Sequence, residues 1–433
     1  MKVGFVSLGC SKNLVDTEMC IGLFKKEGFE IVNNPINAEI IVINTCGFIE
    51  SAKQEAINTI LEMAEYKNSG NCKYLIVMGC LVQRYKEDLE KSIPEVDLFL
   101  TIDEYENFWS KVSDLLKSKK STNTLDYMER VISTGNTTAY LKIAEGCSNK
   151  CTYCAIPYIR GPYISRKIED ILEEAKKLAR EGIKEIIVIA QDTTKYGIDI
   201  YGESKLAELL EKLCEIDGIK WIRFLYAYPE SITDELIKVV KENDKICKYF
   251  DIPLQHYSNP VLKRMNRHSD GQSIEKLIEK IRKEIPEVVL RTTFMVGFPG
   301  ETEEDFFELY EFINKTKFEK MGAFSYSKED GTPAARIKEQ IHYKTKQSRL
   351  NKIMSLQQKI AQIKLEEKIG TEYVALIDGI TEDKQFYIAR SYMDIPDEDG
   401  VIFIQNTEQR QIGEFVNCTI VDVEGYDLVA KLK

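Results

Sequence analysis

Histidine is scarce in this chain, with three in 433 residues, which argues against a metal centre built on imidazole. An excess of basic charge is also missing. Lys and Arg number 59 against 70 Asp and Glu, a formal net charge of −11. A general grip on nucleic-acid phosphates is therefore not expected. No apolar run reaches the roughly 18 residues of a membrane span. The opening MKVGFVSLG reads as a strand without the layout of a signal peptide, so a cytoplasmic protein is expected. Neither a Ser/His/Asp constellation nor a phosphate loop is present, and there is no internal repeat or low-complexity tract. Cysteine, by contrast, is plentiful, at eleven residues. In a reducing compartment these point to metal or redox roles rather than disulfides.

The length exceeds what one hydrophobic core organises, so two or three domains are expected. Residues 1 to about 118 alternate apolar strand runs (KVGFVSL, EIIVIN, KYLIVM, VDLFLT) with helical patterns, which predicts a small doubly wound parallel sheet. Residues 117–138 are polar and aperiodic and read as a linker. Strands are then expected at 140–144, 184–190, 220–226, 249–253, 288–296 and 320–326, an incomplete (β/α)6 barrel. A long amphipathic helix follows, with Leu350, Ile353, Leu356, Ile360 and Ile363 on its apolar face. Short alternating strands from Thr371 onward predict a small antiparallel, OB-like β-barrel. The expected fold class is α/β, with domains at 1–125, 136–369 and 370–433.

EGCSNKCTYCAIPYIRGP places Cys147, Cys151 and Cys154 in one loop after a strand, where the upper loops of a barrel gather. Thiolates suit zinc or an iron–sulfur cluster. Structural zinc asks for four ligands, and the next candidates, Cys214 and His256, are distant in sequence. A four-iron cluster on three thiolates leaves one iron open for a small molecule. SLGC, NTCG and MGC place Cys10, Cys46 and Cys80 just past the carboxyl ends of three predicted parallel strands, the edge where ligands bind such sheets. Each has a glycine neighbour (Gly9, Gly47, Gly79), which lets backbone N–H groups approach sulfur. This placement favours a second metal site over coincidental clustering. Cys20, Cys72, Cys214, Cys247 and Cys418 read as small buried hydrophobes.

The C-x3-C-x2-C loop, with Tyr153 before its third cysteine, resembles the signature of radical S-adenosylmethionine (SAM) enzymes. The resemblance implies that the open iron chelates SAM and that one electron cleaves it to a 5′-deoxyadenosyl radical. It also implies SAM contacts at Tyr153, at Gln191 in IAQDTTKYG, at Gln255 in DIPLQHYSNPVLKRMNR, and at Arg291 and Gly297 in RTTFMVGFPGETEEDF. For Gln191, Gln255 and Arg291 the alternative is ordinary hydrogen bonding at a strand end. Taken whole, the chain resembles the methylthiotransferases, with an N-terminal three-cysteine domain, a radical SAM barrel and a C-terminal TRAM domain. This implies a second 4Fe-4S cluster on Cys10, Cys46 and Cys80 that carries the sulfur to be inserted. Chemistry resides in the two clusters, and no side chain is singled out as catalytic. A one-electron donor such as flavodoxin or ferredoxin is implied.

Two branches compete. One modifies an adenosine of tRNA (the MiaB branch); the other modifies the β-carbon of an aspartate in ribosomal protein S-twelve (the RimO branch). SLGCSKNLVDTE resembles the second. Lys12 and Asn13 also fit simple helix capping and solvation. The C-terminal module carries thirteen acidic and five basic residues, a net −8. That balance suits a basic ribosomal protein, and contact with RNA through this module is not expected. ARSYMDIPDEDGVIFI also resembles the ribosomal-protein branch. Tyr257 stands where the resemblance implies a glycine able to take positive φ, and Ile164 where it implies an arginine. A non-catalytic metal-bound module docking on ribosomes is the alternative of another class.

Overall fold

The computed structural model describes residues 1–119 and 121–433; Lys120, inside the expected linker, lies outside the described residues. Five parallel strands, β1 (Lys2–Ser7), β2 (Glu30–Ile31), β3 (Ile40–Thr45), β4 (Tyr74–Gly79) and β5 (Leu98–Leu100), form the first sheet in the order β2-β1-β3-β4-β5. Helices α1 (Ser11–Lys26), α2 (Glu50–Ala64), α3 (Tyr66–Ser69), α4 (Cys80–Ser92) and α5 (Phe108–Leu116) connect them. In β3, Ile41 and Ile43 pack on one face with Ala56 and Ile60 of α2, while Ile40 and Val42 pack on the other with Leu23 and Phe24 of α1. Burial on both faces explains why the strands read as unbroken apolar runs.

The second domain begins with β6 (Thr138–Lys142) and a short hairpin, β7 (Ala144–Glu145) with β8 (Ile164–Ser165). Then come β9 (Glu185–Ile189), β10 (Trp221–Phe224), β11 (Tyr249–Asp251), β12 (Val289–Val296) and β13 (Lys320–Ser325). They form two parallel three-stranded sheets, β10-β9-β6 and β11-β12-β13, with an isolated bridge between Ile222 and Ile246 joining them. The array stays open between β6 and β13. Helices α6 (Ile156–Arg160), α7 (Ile168–Arg180), α8 (Ile198–Tyr201), α9 (Leu206–Cys214), α10 (Asp234–Glu242), α11 (Asn259–Arg264), α12 (Gly271–Glu284) and α13 (Glu303–Thr316) fill the connections. The long helix α14 (Tyr343–Glu366) packs beside β13. Ile353 and Ile360 are buried and Leu350 and Leu356 lean on the same core, but Ile363 is 53% exposed. At 100° per residue Ile363 lies about 80° round the helix from Ile353, and Gln357 and Ala361 fill the buried stripe instead.

Five strands, β14 (Glu372–Ile380), β15 (Phe386–Arg390), β16 (Ile402–Gln405), β17 (Phe415–Glu424) and β18 (Asp427–Leu432), close into a barrel in the order β14-β15-β16-β18-β17. The pairing is antiparallel except for β16 with β18, which is parallel. A closed ring of an odd number of strands cannot alternate throughout, so one parallel pair is forced.

This barrel docks under the first residues of the central strands. Trp221 stacks edge-on against Phe415 with centroids 4.9 Å apart, and Arg223 donates to the Ser391 and Tyr392 carbonyls. Arg390 reaches Glu185 at 2.7 Å, and Asp394 and Asp399 meet Lys320 and the Tyr249 hydroxyl, each at 2.7 Å. Part of the acidity of the C-terminal module, Asp394 and Asp399, is therefore turned inward onto the barrel. The segment read as a linker is likewise packed: Arg130 is buried between Glu18 of α1 (2.7 Å) and Glu174 of α7 (2.9 Å). Its polarity serves a buried seam, where carboxylates from both sides neutralise one guanidinium. Among the described residues no helix is long and apolar enough to cross a membrane.

Candidate active site

Because β1, β3 and β4 are adjacent and parallel, the residues following them share one edge. Cys46 directly follows β3, and Cys80 opens α4. Gly79, with φ of 101°, makes the strand-to-helix turn; a Cβ there would lie 2.3 Å from Asn44 Oδ1 and 2.7 Å from the Thr45 carbonyl. Gly9, φ 88°, brings its backbone against Cys46, where a Cβ would lie 2.7 Å from the Cys46 Cβ. Asn13 Nδ2 donates to the Leu8 and Thr45 carbonyls at 3.0 Å each, tying α1 to the ends of β1 and β3. Its Oδ1 lies 3.5 Å from Cys80 Sγ and accepts from Arg160 at 2.5 Å. Lys12 and Asn13 are both buried, so the capping and solvation reading is replaced by a place in the site.

The second set follows the β6–β7 segment. Asn149 N–H donates to Cys147 Sγ and Ile156 N–H to Cys154 Sγ, each at 3.4 Å. Cys151 Sγ lies 3.5 Å from the Tyr228 hydroxyl. Burial pushes the thiols of Cys147 and Cys154 up to about 11 and 12, with those amides pulling the other way. Burial also raises Cys80 to about 12, against the opposing pull of Arg160.

One cavity of about 330 Å³ lies between the sets, and Cys10, Cys46, Cys80, Cys147 and Cys154 line it; Cys151 stands behind the wall. Tyr153, Gln191, Gln255 and Arg291 are on the wall, but Gly297 is not. A Cβ at Gly297 (φ 71°) would meet Lys346 of α14 at 2.4 Å, so its freedom serves packing against that helix. Gln255 holds φ of 70°, and its Oε1 is buried without a hydrogen-bond partner. Tyr226, also on the wall, holds φ of 61°. Strained backbone of this kind persists where surrounding structure enforces it, typically around a ligand. Arg291 is committed to Asp251 at 3.0 Å and to Glu398 of the C-terminal barrel. Tyr257, where positive φ was in question, lies outside the left-handed region and stacks on Phe312 at 4.2 Å. Ile164 is exposed. Cys20, Cys72, Cys247 and Cys418 are buried away from this wall, and Cys214 is half-buried.

The two thiol sets are held relative to each other by a buried ionic seam. Asp16 of α1 accepts from Lys142 and, at 2.9 Å, from Arg160; Glu145 accepts from Lys142 at 2.8 Å and from Arg160 at 2.9 Å. Burial alone would raise the Glu145 carboxyl, but Arg160 and Lys142 hold it well below the usual range. On the far side of the opening, Glu329 after β13 pairs with Arg84 of α4 (3.0 Å) and Lys53 of α2 (3.3 Å). The N-terminal domain thus caps the carboxyl end of the open barrel from β6 to β13.

Sequence reasoning passed over Arg160, Tyr226, Tyr228, Asp251 and Glu329. Arg160 lay inside the most specific block, and Tyr226 and Asp251 at ends of predicted strands, so position was the available signal. Among the described residues no group of three His, Cys, Asp or Glu converges on a single ion. Soft donors in threes, backbone amides aimed at sulfur and an orphaned Gln255 oxygen fit clusters and a polar ligand.

The Radical SAM superfamily matches residues 141–313, the uncharacterized protein family UPF0004 residues 2–101, and the TRAM domain residues 369–432. The chain is 65% identical over 435 residues to the ribosomal protein uS12 methylthiotransferase RimO of Alkaliphilus oremlandii, covering 100% of this chain and 99% of that protein. It is 50% identical to the protein of the same name from Acetivibrio thermocellus (100% and 98% covered) and 52% to that from Caldicellulosiruptor saccharolyticus (100% of both). Among solved structures it resembles the radical S-adenosylmethionine methyltransferase TsrM from Kitasatospora setae, with TM-score 0.59, 11% identity, and 77% and 73% of the two chains covered. It also resembles the cobalamin-dependent S-adenosylmethionine radical enzyme OxsB, with TM-score 0.53, 16% identity, and 82% and 56% covered. These two likenesses show the fold alone.

Proposed function

The chain belongs to the family of ribosomal protein uS12 methylthiotransferases, and from that premise we propose that it places a methylthio group on the β-carbon of an aspartate of uS12. The observation that carries this reading is one cavity lined from both sides by thiols of two separate domains. The radical SAM domain brings a 4Fe-4S cluster and SAM, with Cys147, Cys151 and Cys154 as the ligand set. Cys10, Cys46 and Cys80 are proposed to hold a second cluster. When bound, the first supplies the electron for reductive cleavage of SAM and the second a carrier for sulfur.

The chain's own residues do the positioning. Amides of Asn149 and Ile156 donate to sulfur and favour the thiolate form over the thiol. Gln255 offers an unpartnered oxygen to a donor such as a ribose hydroxyl or an ammonium group. Gln191 and Tyr153 add polar and aromatic surface beside it. Arg291, gripped by Asp251 and Glu398, shapes the floor of the cavity. The Asp16–Lys142–Glu145–Arg160 seam fixes how far the two thiol sets stand apart, which an unactivated C–H bond requires of its reacting partners. A flavodoxin or ferredoxin is the proposed electron source. A tRNA substrate is not favoured, because each relative compared over its whole length carries the uS12 name.

Anaerobically reconstituted protein is expected to hold about eight irons, and either triple Cys→Ala variant about four. The variant at 147, 151 and 154 loses SAM cleavage. The variant at 10, 46 and 80 keeps SAM cleavage and transfers no methylthio group to uS12, read by mass spectrometry. Wild-type SAM cleavage by both variants would overturn the assignment.

A further inference from the structure

Three cationic side chains line the cavity: Lys12, Arg160 and Arg291. Arg160 is held by Asp16 and Glu145, and Arg291 by Asp251 and Glu398. Lys12 is only 4% exposed, yet among the described residues no carboxylate lies within ion-pair distance of it. Its Nζ sits 3.3 Å over the ring of Tyr226. An aromatic face compensates a desolvated ammonium only in part. The carboxylates nearest in kind, Asp251 and Glu398, are taken by Arg291, and Asp251 also accepts the Tyr226 N–H at 2.9 Å. The wall therefore carries one buried amine that no carboxylate pairs with directly, in a field set by Cys10, Glu398 and Asp251.

Resting on the uS12 reading, we propose that Lys12 receives the side-chain carboxylate of the aspartate to be modified. A chamber bounded by thiolates and two carboxylates repels an anionic side chain unless a cation is set within it. The ammonium has three donors on a flexible stem, and the Tyr226 face engages one side of it, leaving donors for carboxylate oxygens. The carboxyl carbon is bonded directly to the β-carbon. Holding the carboxylate thus fixes the reacting carbon between the two thiol sets and selects aspartate over asparagine. Tyr226 is a firm support because its left-handed backbone is clamped by Asp251.

The test is equilibrium binding of uS12, and of uS12 with its target Asp replaced by Asn, to the anaerobically reconstituted enzyme with SAM. Wild type is expected to bind the Asp form about tenfold or more tightly than the Asn form, the range of a charge-assisted hydrogen bond. Lys12→Gln is expected to bind the two alike, with iron content and SAM affinity as in wild type, and Lys12→Arg to retain a preference for Asp. Equal binding of both forms by wild type, or full discrimination by Lys12→Gln, overturns the proposal. A drop in SAM affinity in Lys12→Gln also overturns it, since Lys12 would then serve the cofactor. Failure of wild type to modify uS12 at all sinks the substrate reading itself, a different result from an active enzyme indifferent to Lys12.

Discussion

Gly79 shows how a single backbone conformation sets up a ligand. Its φ of 101° turns β4 into α4 and presents Cys80, and its missing Cβ leaves room for Asn44 and Thr45. Gly79→Ala forces both a left-handed alanine and a contact with fixed backbone, a cost of about 1–3 kcal/mol for the conformation alone. The expected outcome is a lower Tm and iron content falling toward half, with SAM binding kept, measured by calorimetry and iron assay. At this scale the sequence was informative where chemistry is rare and silent where it is common. Thiols beside glycines stand out in a string of letters. Asn13 does not, because an asparagine near a helix start is ordinary. Only the fold shows it joined to Leu8, Thr45 and Arg160 across three segments.

Among elements, strands buried on both faces announce themselves as apolar runs, which is why β6, β9, β10, β11 and β12 were found within a few residues; β13, found as closely, is only half-buried. The path of α14 was misjudged at Ile363 because helical spacing drifts, and a wide stripe tolerates more than one choice of face. The contact between β9 and β15 was invisible, since it joins residues far apart in the chain. There, burial would raise Glu185, but Arg390 and Arg223 overcome it and hold its carboxyl at about 2. The folded pKa lies below the unfolded value of 4.5, so this stabilisation is full above about pH 4.5 and is lost as pH falls toward 2. That window spans about 3 kcal/mol. Glu185→Gln leaves two buried guanidinium groups short of a counter-charge, and a loss of about 3–5 kcal/mol is expected at neutral pH. In urea titrations the gap between variant and wild type should narrow as pH drops through that window. A constant gap would contradict the assignment.

For the whole molecule, three modules and their order were readable from composition and periodicity, while their mutual placement was not. Polar residues between modules read as a solvated tether because nothing local distinguishes a buried, neutralised arginine from a wet one; Arg130 is the former. Which acidic residues of the last module face inward was equally illegible: Asp378, Asp394, Glu398 and Asp399 have partners inside the protein, while Glu372, Glu382, Asp383, Glu408, Asp422 and Glu424 are exposed. Arg160→Met is expected to leave Asp16 and Glu145 sharing Lys142 alone and to cost about 3–5 kcal/mol. Limited proteolysis should then cut faster between residues 121 and 137, the segment that joins the two domains the seam holds together.

The acid–base lattice of Asp16, Lys142, Glu145 and Arg160 crosses a domain boundary, with Asp16 from the N-terminal domain set among three members from the barrel. A carboxylate fitted between two cations in this way works like a keyed joint. A chimera that grafts the first hundred residues of a distant relative onto this barrel would bury a mismatched ion wherever the key differs, so exchange between enzymes is restricted to parts that carry both faces of the joint together.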